Sequence, residues 1–208
     1  MPTGTIAGLR GIATFGGGSV STHVTNVGTI TGTNADFSLS SHFDPSHNRG
    51  SISGFDGVYV SGGVDNPVAN TGSISGAYGD CINRSTKADI HNGGTIIGTA
   101  SALSLSTVGD SVTNGGEIPG AILLIEGDDP FDGRHGLQSG AYGGTGGDRI
   151  PDGCGEEAFY GDAGRDLLQV NGGDDNLFGD EGNDTVAGGL GDDQMSADGA
   201  VISVRASF

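Results

Sequence analysis

Repetition in fixed register constrains this chain more than any other feature of its sequence. From Gly143 to Ser196, six nine-residue units follow one another without a gap: GGTGGDRIP, DGCGEEAFY, GDAGRDLLQ, VNGGDDNLF, GDEGNDTVA and GGLGDDQMS. The fourth place is always Gly, as Gly146, Gly155, Gly164, Gly173, Gly182 and Gly191. The sixth is always a carboxylate, as Asp148, Glu157, Asp166, Asp175, Asp184 and Asp193, and the eighth is always apolar. The second place holds Gly144, Gly153, Asp162, Asn171, Asp180 and Gly189, residue types that tolerate positive φ. Each unit is therefore built to turn over its first six residues and to form a short strand over its last three, with the eighth residue inward. A disordered acidic tail of the same composition has no reason to keep Gly, carboxylate and apolar residues in phase.

Such a turn aims several carbonyl oxygens one way, and the sixth-place carboxylate sets negative charge beside them. Six to eight hard oxygens in flexible geometry suit calcium; zinc would want His or Cys, which these loops lack apart from Cys154. The pattern resembles the RTX nonapeptide G-G-x-G-x-D-x-U-x, a calcium-binding repeat. That resemblance implies a parallel β-roll with half a turn per unit and about eighteen residues per coil. Units beginning at 143, 161 and 179 would then share one edge, and those at 152, 170 and 188 the other. Asp148, Asp166 and Asp184 would form one ligand column and Glu157, Asp175 and Asp193 the second. Loop oxygens of Gly144, Gly146, Gly155, Asp162, Gly164, Asn171, Gly173, Asp180, Gly182, Gly189 and Gly191 would complete the shells. Three loops leave two gaps on each edge, so the family pattern implies about four Ca2+ ions. A seventh unit, beginning at Ala197, has Ala200 and Ile202 where Gly and Asp belong, and residues 197–208 read as a terminal cap.

A second repetition, of 22 residues, fills the amino-terminal part. It reads NVGTITG at 26, NRGSISG at 48, NTGSISG at 70, NGGTIIG at 92 and NGGEIPG at 114. Asn26, Asn48, Asn70, Asn92 and Asn114 form one column, and Ile30, Ile52, Ile74, Ile96 and Ile118 another. The same period lines up Val24, Ser46, Val68, Ile90 and Val112, and also Phe37, Tyr59, Cys81, Leu103 and Ile125. Short strands that cannot bury themselves gain a core by stacking coil upon coil, so residues 1–125 are expected to form a parallel β-helix. An inward amide repeated at the strand spacing of ~4.8 Å can bond to its counterpart, which makes the Asn column a structural ladder. TGTIAG at 3–8 reads as a preceding coil two residues longer than the rest. Residues 126–142 keep neither period and read as a junction, followed by the β-roll over 143–196. The 22-residue coils resemble those of bacterial autotransporter and adhesin passengers. The fold class is all-β.

With 43 Gly and no Trp among 208 residues, the chain is better suited to thin stacked coils than to a thick globular core. The net charge is −18, and from Glu126 onward 18 carboxylates face only Arg134, Arg149, Arg165 and Arg205. That half calls for a cation, and nucleic acid is excluded as a partner by the sign of the field. Cys81 and Cys154 do not make a disulfide framework. No apolar run is long enough to span a membrane, and the start lacks an apolar core followed by a cleavage site. The RTX resemblance implies a secreted or cell-surface bacterial protein exported by a type I-like route. Its role would be structural or adhesive, with a surface polysaccharide or another surface protein as partner.

Catalysis is not the expected function, though one alternative is enzymatic. Right-handed β-helices include polysaccharide lyases, and alginate epimerases join such a helix to RTX modules. The candidate here is SHFDPSHN, where His42, Asp44 and His47 cluster acid and base groups. It resembles the Asp-Pro-His of those epimerases, but Ser46 separates Pro45 from His47 and Lys87 is the sole lysine. A second alternative is ice or glycan binding by the outward files of Thr29, Thr31, Ser51, Ser53, Ser73, Ser75 and Thr95, interrupted at Ile97, Glu117 and Pro119.

Overall fold

Every strand pairing among the described residues is parallel, and most join residues one coil apart. In the computed structural model, residues 4–8, 12–13, 24–33, 35–39, 46–60, 66–82, 87–198 and 201–203 are described. They form a β-solenoid with no helix among them. A 17-stranded sheet runs along one wall, and sheets of six and four strands share the opposite side. The Pro130–Arg149 bridge connects the six-stranded sheet to the four-stranded one. Among the described residues no helix is long and apolar enough to cross a membrane.

The amino-terminal columns stack as the 22-residue period dictates. Ile30 pairs with Ile52, Ile52 with Ile74 and Ile74 with Ile96, all almost fully buried. On the facing wall Val24, Ser46, Val68, Ile90 and Val112 succeed one another. The first coil is indeed the longer one, since Ile6 pairs with Ile30. The column of Phe37, Tyr59, Cys81, Leu103 and Ile125 is not formed as spaced. Tyr59 does meet Cys81, but Phe37 lies beside Val58, and a bulge past Gly76 brings Leu103 beside Asp80. Leu103 then meets Ile122, which takes the place expected for Ile125. The local chain length changes within a coil, so equal spacing in sequence does not guarantee equal height on the wall.

Inside the turns, the asparagines form a continuous chain. Asn26 donates through Nδ2 to Asn48 Oδ1, Asn48 to Asn70 and Asn70 to Asn92, each at 2.8 Å, and Asn92 to Asn114 at 2.9 Å. Each also donates to a strand carbonyl of the following coil and accepts from the backbone N–H two residues on, as Asn70 does with Thr95 and Gly72. The chain then leaves asparagine: Asn114 donates to Gln138 Oε1 at 2.7 Å, and Gln138 donates to Asp152 Oδ1.

Residues 126–142, read from the sequence as a junction, are paired on both sides. Phe131 lies beside Val112, Ile122 beside Ala141, and Ala141 beside Phe159. The coil contracts across this stretch. Successive members of one buried column are 22 residues apart from Ala88 to Asp110, 19 apart to Asp129 and Asp148, and 18 apart to Asp166. The apolar walls continue without a break. Ile150, Leu168 and Val186 extend one side, and Phe159, Leu177 and Met195 the other. The terminal unit is short, so Ile202 pairs with Val186 and takes the apolar place rather than that of a sixth-place carboxylate. Outside the wall, Tyr142, Tyr160 and Phe178 stack with ring centroids 4.6 and 4.9 Å apart.

Removing a middle rung of the amide ladder strands groups on two coils. Asn70→Ala should lower stability by roughly 1–3 kcal/mol, because Asn48 Nδ2 and Asn92 Oδ1 each lose a buried partner. Thr113→Ala, on the exposed side of its strand, should change it by less than about 0.5 kcal/mol. Thermal denaturation in calcium buffer checks both.

Candidate metal centre

The loops of the nonapeptide region stack in alternating sets. Thr145 and Gly146 pair with Ala163 and Gly164, and these pair with Glu181 and Gly182. On the other edge Gly172 bridges to Leu190, and Gly173 N–H donates to Leu190 O at 2.9 Å. Position four admits no side chain: Gly164 has φ +155, and a Cβ there would lie 1.5 Å from Gly146 O. Gly146, Gly173, Gly182 and Gly191 share this left-handed backbone, as do second-place Gly144, Asp162, Asp180 and Gly189. Gly155, Gly153 and Asn171 do not. The loop around Gly155 is also the one where Asp152 replaces the first-place Gly and Glu157 the sixth-place Asp.

Stacking places the sixth-place carboxylates in two columns and divides the labour of their oxygens. Asp148 N–H donates to Asp166 Oδ1 at 2.8 Å, and Asp166 N–H to Asp184 Oδ1 at 2.9 Å. On the other edge Glu157 N–H donates to Asp175 Oδ1 at 2.9 Å, and Asp175 N–H to Asp193 Oδ1 at 3.1 Å. The second oxygen is left over. Oδ2 of Asp148, Asp166, Asp175 and Asp184, and Oε2 of Glu157, are buried without a hydrogen-bond partner. Each of these residues is at most 5% exposed. A buried carboxylate oxygen without a donor or a counter-charge is costly.

Beside two of these oxygens a first-place glycine keeps clear a position that a Cβ could occupy only by collision. A Cβ on Gly143 would sit 2.4 Å from Asp148 Oδ2 and 2.6 Å from Gly161 O. On Gly161 it would sit 2.6 Å from Asp166 Oδ2 and 2.8 Å from Gly179 O. Gly143 and Gly161 thus each stand beside a carboxylate oxygen of their own loop and a carbonyl oxygen of the next coil, a donor set that fits a hard cation. Among the described residues no group of three or more His, Cys, Asp or Glu side chains gathers at metal-binding distance. A cation here would therefore take its remaining ligands from the loop backbone.

Without a cation, burial raises the proton affinity of several of these carboxyls. Burial, with the charges of Asp128 and Asp162, pushes Asp148 up to about 6. Burial, then Asp148, Asp184 and Asp162, push Asp166 up to about 7. Burial and the neighbouring Asp152 and Asp175 push Glu157 up to about 8. Asp175 and Asp152 are also raised by burial.

Other loop groups tie one coil to the next. Gly144 N–H donates to Asp162 Oδ2 at 3.1 Å, and Asn171 Nδ2 donates to Asp152 O at 2.7 Å. Asp152 was not singled out by the nonapeptide pattern, because it occupies a glycine place. It is fully buried, with Oδ2 unpartnered and Oδ1 accepting from Gln138. Asp129 likewise escaped the pattern; it is 1% exposed and its Oδ2 has no partner. Cys154 is a free, exposed cysteine. Of the acid–base cluster at 42–47, His42 and Asp44 lie outside the described residues. His47 is on the strand Ser46–Asn48, paired with Thr25 and Ala69.

Residues 160–195 match a family model, the RTX calcium-binding nonapeptide repeat, in four copies. Neither a curated protein nor a solved structure matches the chain significantly.

The shifted carboxyls give the metal-free roll a definite pH dependence. Their native values lie above the unfolded values near 3.8 and 4.5, so the native state holds more protons than the unfolded one. That stabilising contribution is complete below about pH 4 and is lost as pH rises through about 6 to 8. In chelator, melting of the roll should fall between about pH 5 and about pH 8. Calcium competes with these protons, so its stabilising increment should grow over the same interval. Circular dichroism melts with and without calcium at the two pH values check both signs.

Proposed function

Since residues 160–195 are RTX calcium-binding nonapeptide repeats, carried on a parallel β-solenoid, we propose that this chain is a secreted bacterial repeat protein whose carboxy-terminal coils fold on extracellular calcium. The reading rests above all on the buried carboxylate oxygens that lack partners in both columns. When ionised, a column of carboxylates at coil spacing is self-repelling, and a cation between coils converts that repulsion into an attraction. The proposed ligands are Asp148, Asp166 and Asp184 on one edge and Glu157, Asp175 and Asp193 on the other, together with loop oxygens. The complement is about four ions across the gaps of the repeat region. Calcium is scarce in a cytosol and abundant outside it, so binding and folding would be one event after export. The role that follows is structural or adhesive: a stiff rod displayed at or beyond the cell surface, in contact with polysaccharide or another surface protein.

Chelation separates the two kinds of coil. The amide ladder and the isoleucine column contain no metal ligand, so residues 24–114 should keep their protection from protease when calcium is removed, while 143–196 become cleavable. Protease mapping with mass spectrometry reads this directly, and equal loss in both regions would reject calcium-dependent folding of the roll alone. Within the roll, Asp175→Ala should weaken calcium binding far more than Asp198→Ala. Asp175 stands in the middle loop of its edge and borders a gap on either side, whereas Asp198 belongs to the short terminal unit. Calcium titrations of the two variants that superimpose would reject the ligand columns.

A further inference from the structure

Upstream of the recognisable repeats, residues 124–132, LIEGDDPFD, fold as one more loop-and-strand unit on the edge of the roll. Gly127, with φ +122, lies against Gly146, with φ +133; Gly127 N–H donates to Thr145 O at 2.7 Å. Ile125 occupies the second place with φ 87, where the following loops have Gly144 at 94, Asp162 at 64 and Asp180 at 61. A β-branched residue in the left-handed region is strained and persists only where its surroundings impose the loop. Phe131 fills the eighth place and is fully buried. The unit departs from the repeat at its first place, where buried Leu124 stands for Gly, so a glycine-anchored pattern passes over it.

The sixth place of this unit is Asp129. Its N–H donates to Asp148 Oδ1 at 2.9 Å, and its own Oδ1 accepts from Asp110 N–H, so it belongs to the carboxylate column. Its Oδ2 is buried without a partner. One coil further up, the situation reverses: Asp110 Oδ1 accepts from Ala88 N–H, and its Oδ2 accepts from the N–H and Oγ of Ser106. Protein donors therefore close the column at Asp110, and the first oxygen left open is that of Asp129. The loops 125–129 and 143–148 contain no His or Cys, and they are already tied across their gap by Gly147 N–H donating to Asp128 Oδ1 at 2.7 Å.

We propose that the gap between these two loops is an additional site for a hard divalent cation of the calcium class, held by Asp129 and Asp148 with loop carbonyls. This site rests on the calcium reading of the downstream loops. It would place the first ion on a coil whose strand Phe131–Asp132 pairs with Ser111–Asn114 of the 22-residue coils, so that the ion column starts from the metal-independent helix rather than from a free end.

Calcium stoichiometry of the full chain tests it, measured by equilibrium dialysis for the unaltered protein, Asp129→Asn and Asp166→Asn. The expected result is one ion fewer in Asp129→Asn, with the downstream sites retained. Unchanged stoichiometry and affinity in Asp129→Asn, beside loss in Asp166→Asn, overturns this site alone; an unaltered chain that binds no calcium overturns the calcium reading and this site together. Crystals of the unaltered chain grown with calcium give a readout independent of any variant's folding. An anomalous peak between Asp129 and Asp148 is expected, and peaks confined to the gaps beyond Asp148 would overturn the site.

Discussion

Parallel stacking at constant register sets equivalent side chains directly above one another, and the rest of this structure depends on how each residue type responds to meeting itself. An amide carries both donors and an acceptor, so Asn26 through Asn114 satisfy one another and the backbone around them. A carboxylate carries only acceptors. Asp148, Asp166 and Asp184 can each take one backbone N–H from the coil before, but their remaining oxygens have no donor to meet. The same register that makes one column self-sufficient makes the other dependent on protons or a cation.

The two kinds of column are joined physically. Every side chain of the amide ladder donates towards the carboxy terminus, and the chain passes from Asn114 through Gln138 to Asp152. Asp152 adjoins Glu157, the first member of its carboxylate column, and, after burial, its charge raises the proton affinity of Glu157. The apolar walls are equally continuous, with Val112 followed by Phe131 on one side and Ile122 by Ala141 and Phe159 on the other. Coils of different length can share these walls because pairing resumes on either side of each shortening, as where Thr95 meets Glu117 and Leu103, on the same strand, meets Ile122.

Such an arrangement would confine any metal dependence to the carboxylate-lined coils. An ordinary globular core would spread the loss of a ligand through shared packing. In a solenoid each coil touches only its neighbours, so stability is nearly a sum of local terms. Loss of the cation would leave the acidic coils without their counter-charge and the amide-lined ones intact.

Much of this was legible in the chain itself. A nine-residue phase with Gly at the fourth place and a carboxylate at the sixth dictates alternating loops, and an Asn every 22 residues dictates a ladder, because in both cases the repeat length equals the structural period. What the sequence could not reveal was where period and height part company. Leu103 meets Ile122 rather than Ile125, since the coil shortens between them, and Ile125 instead takes the left-handed place of a loop glycine. Asp129 and Asp152 lie outside the strict motif, one in a unit that begins with Leu124 and the other on a glycine place. Only the folded coil shows that both are buried with an oxygen unpaired. Residue identity at a fixed spacing determines what each coil asks of its neighbour; the tertiary structure decides which neighbour is there to answer, because height along the solenoid is set by strand pairing and not by counting residues.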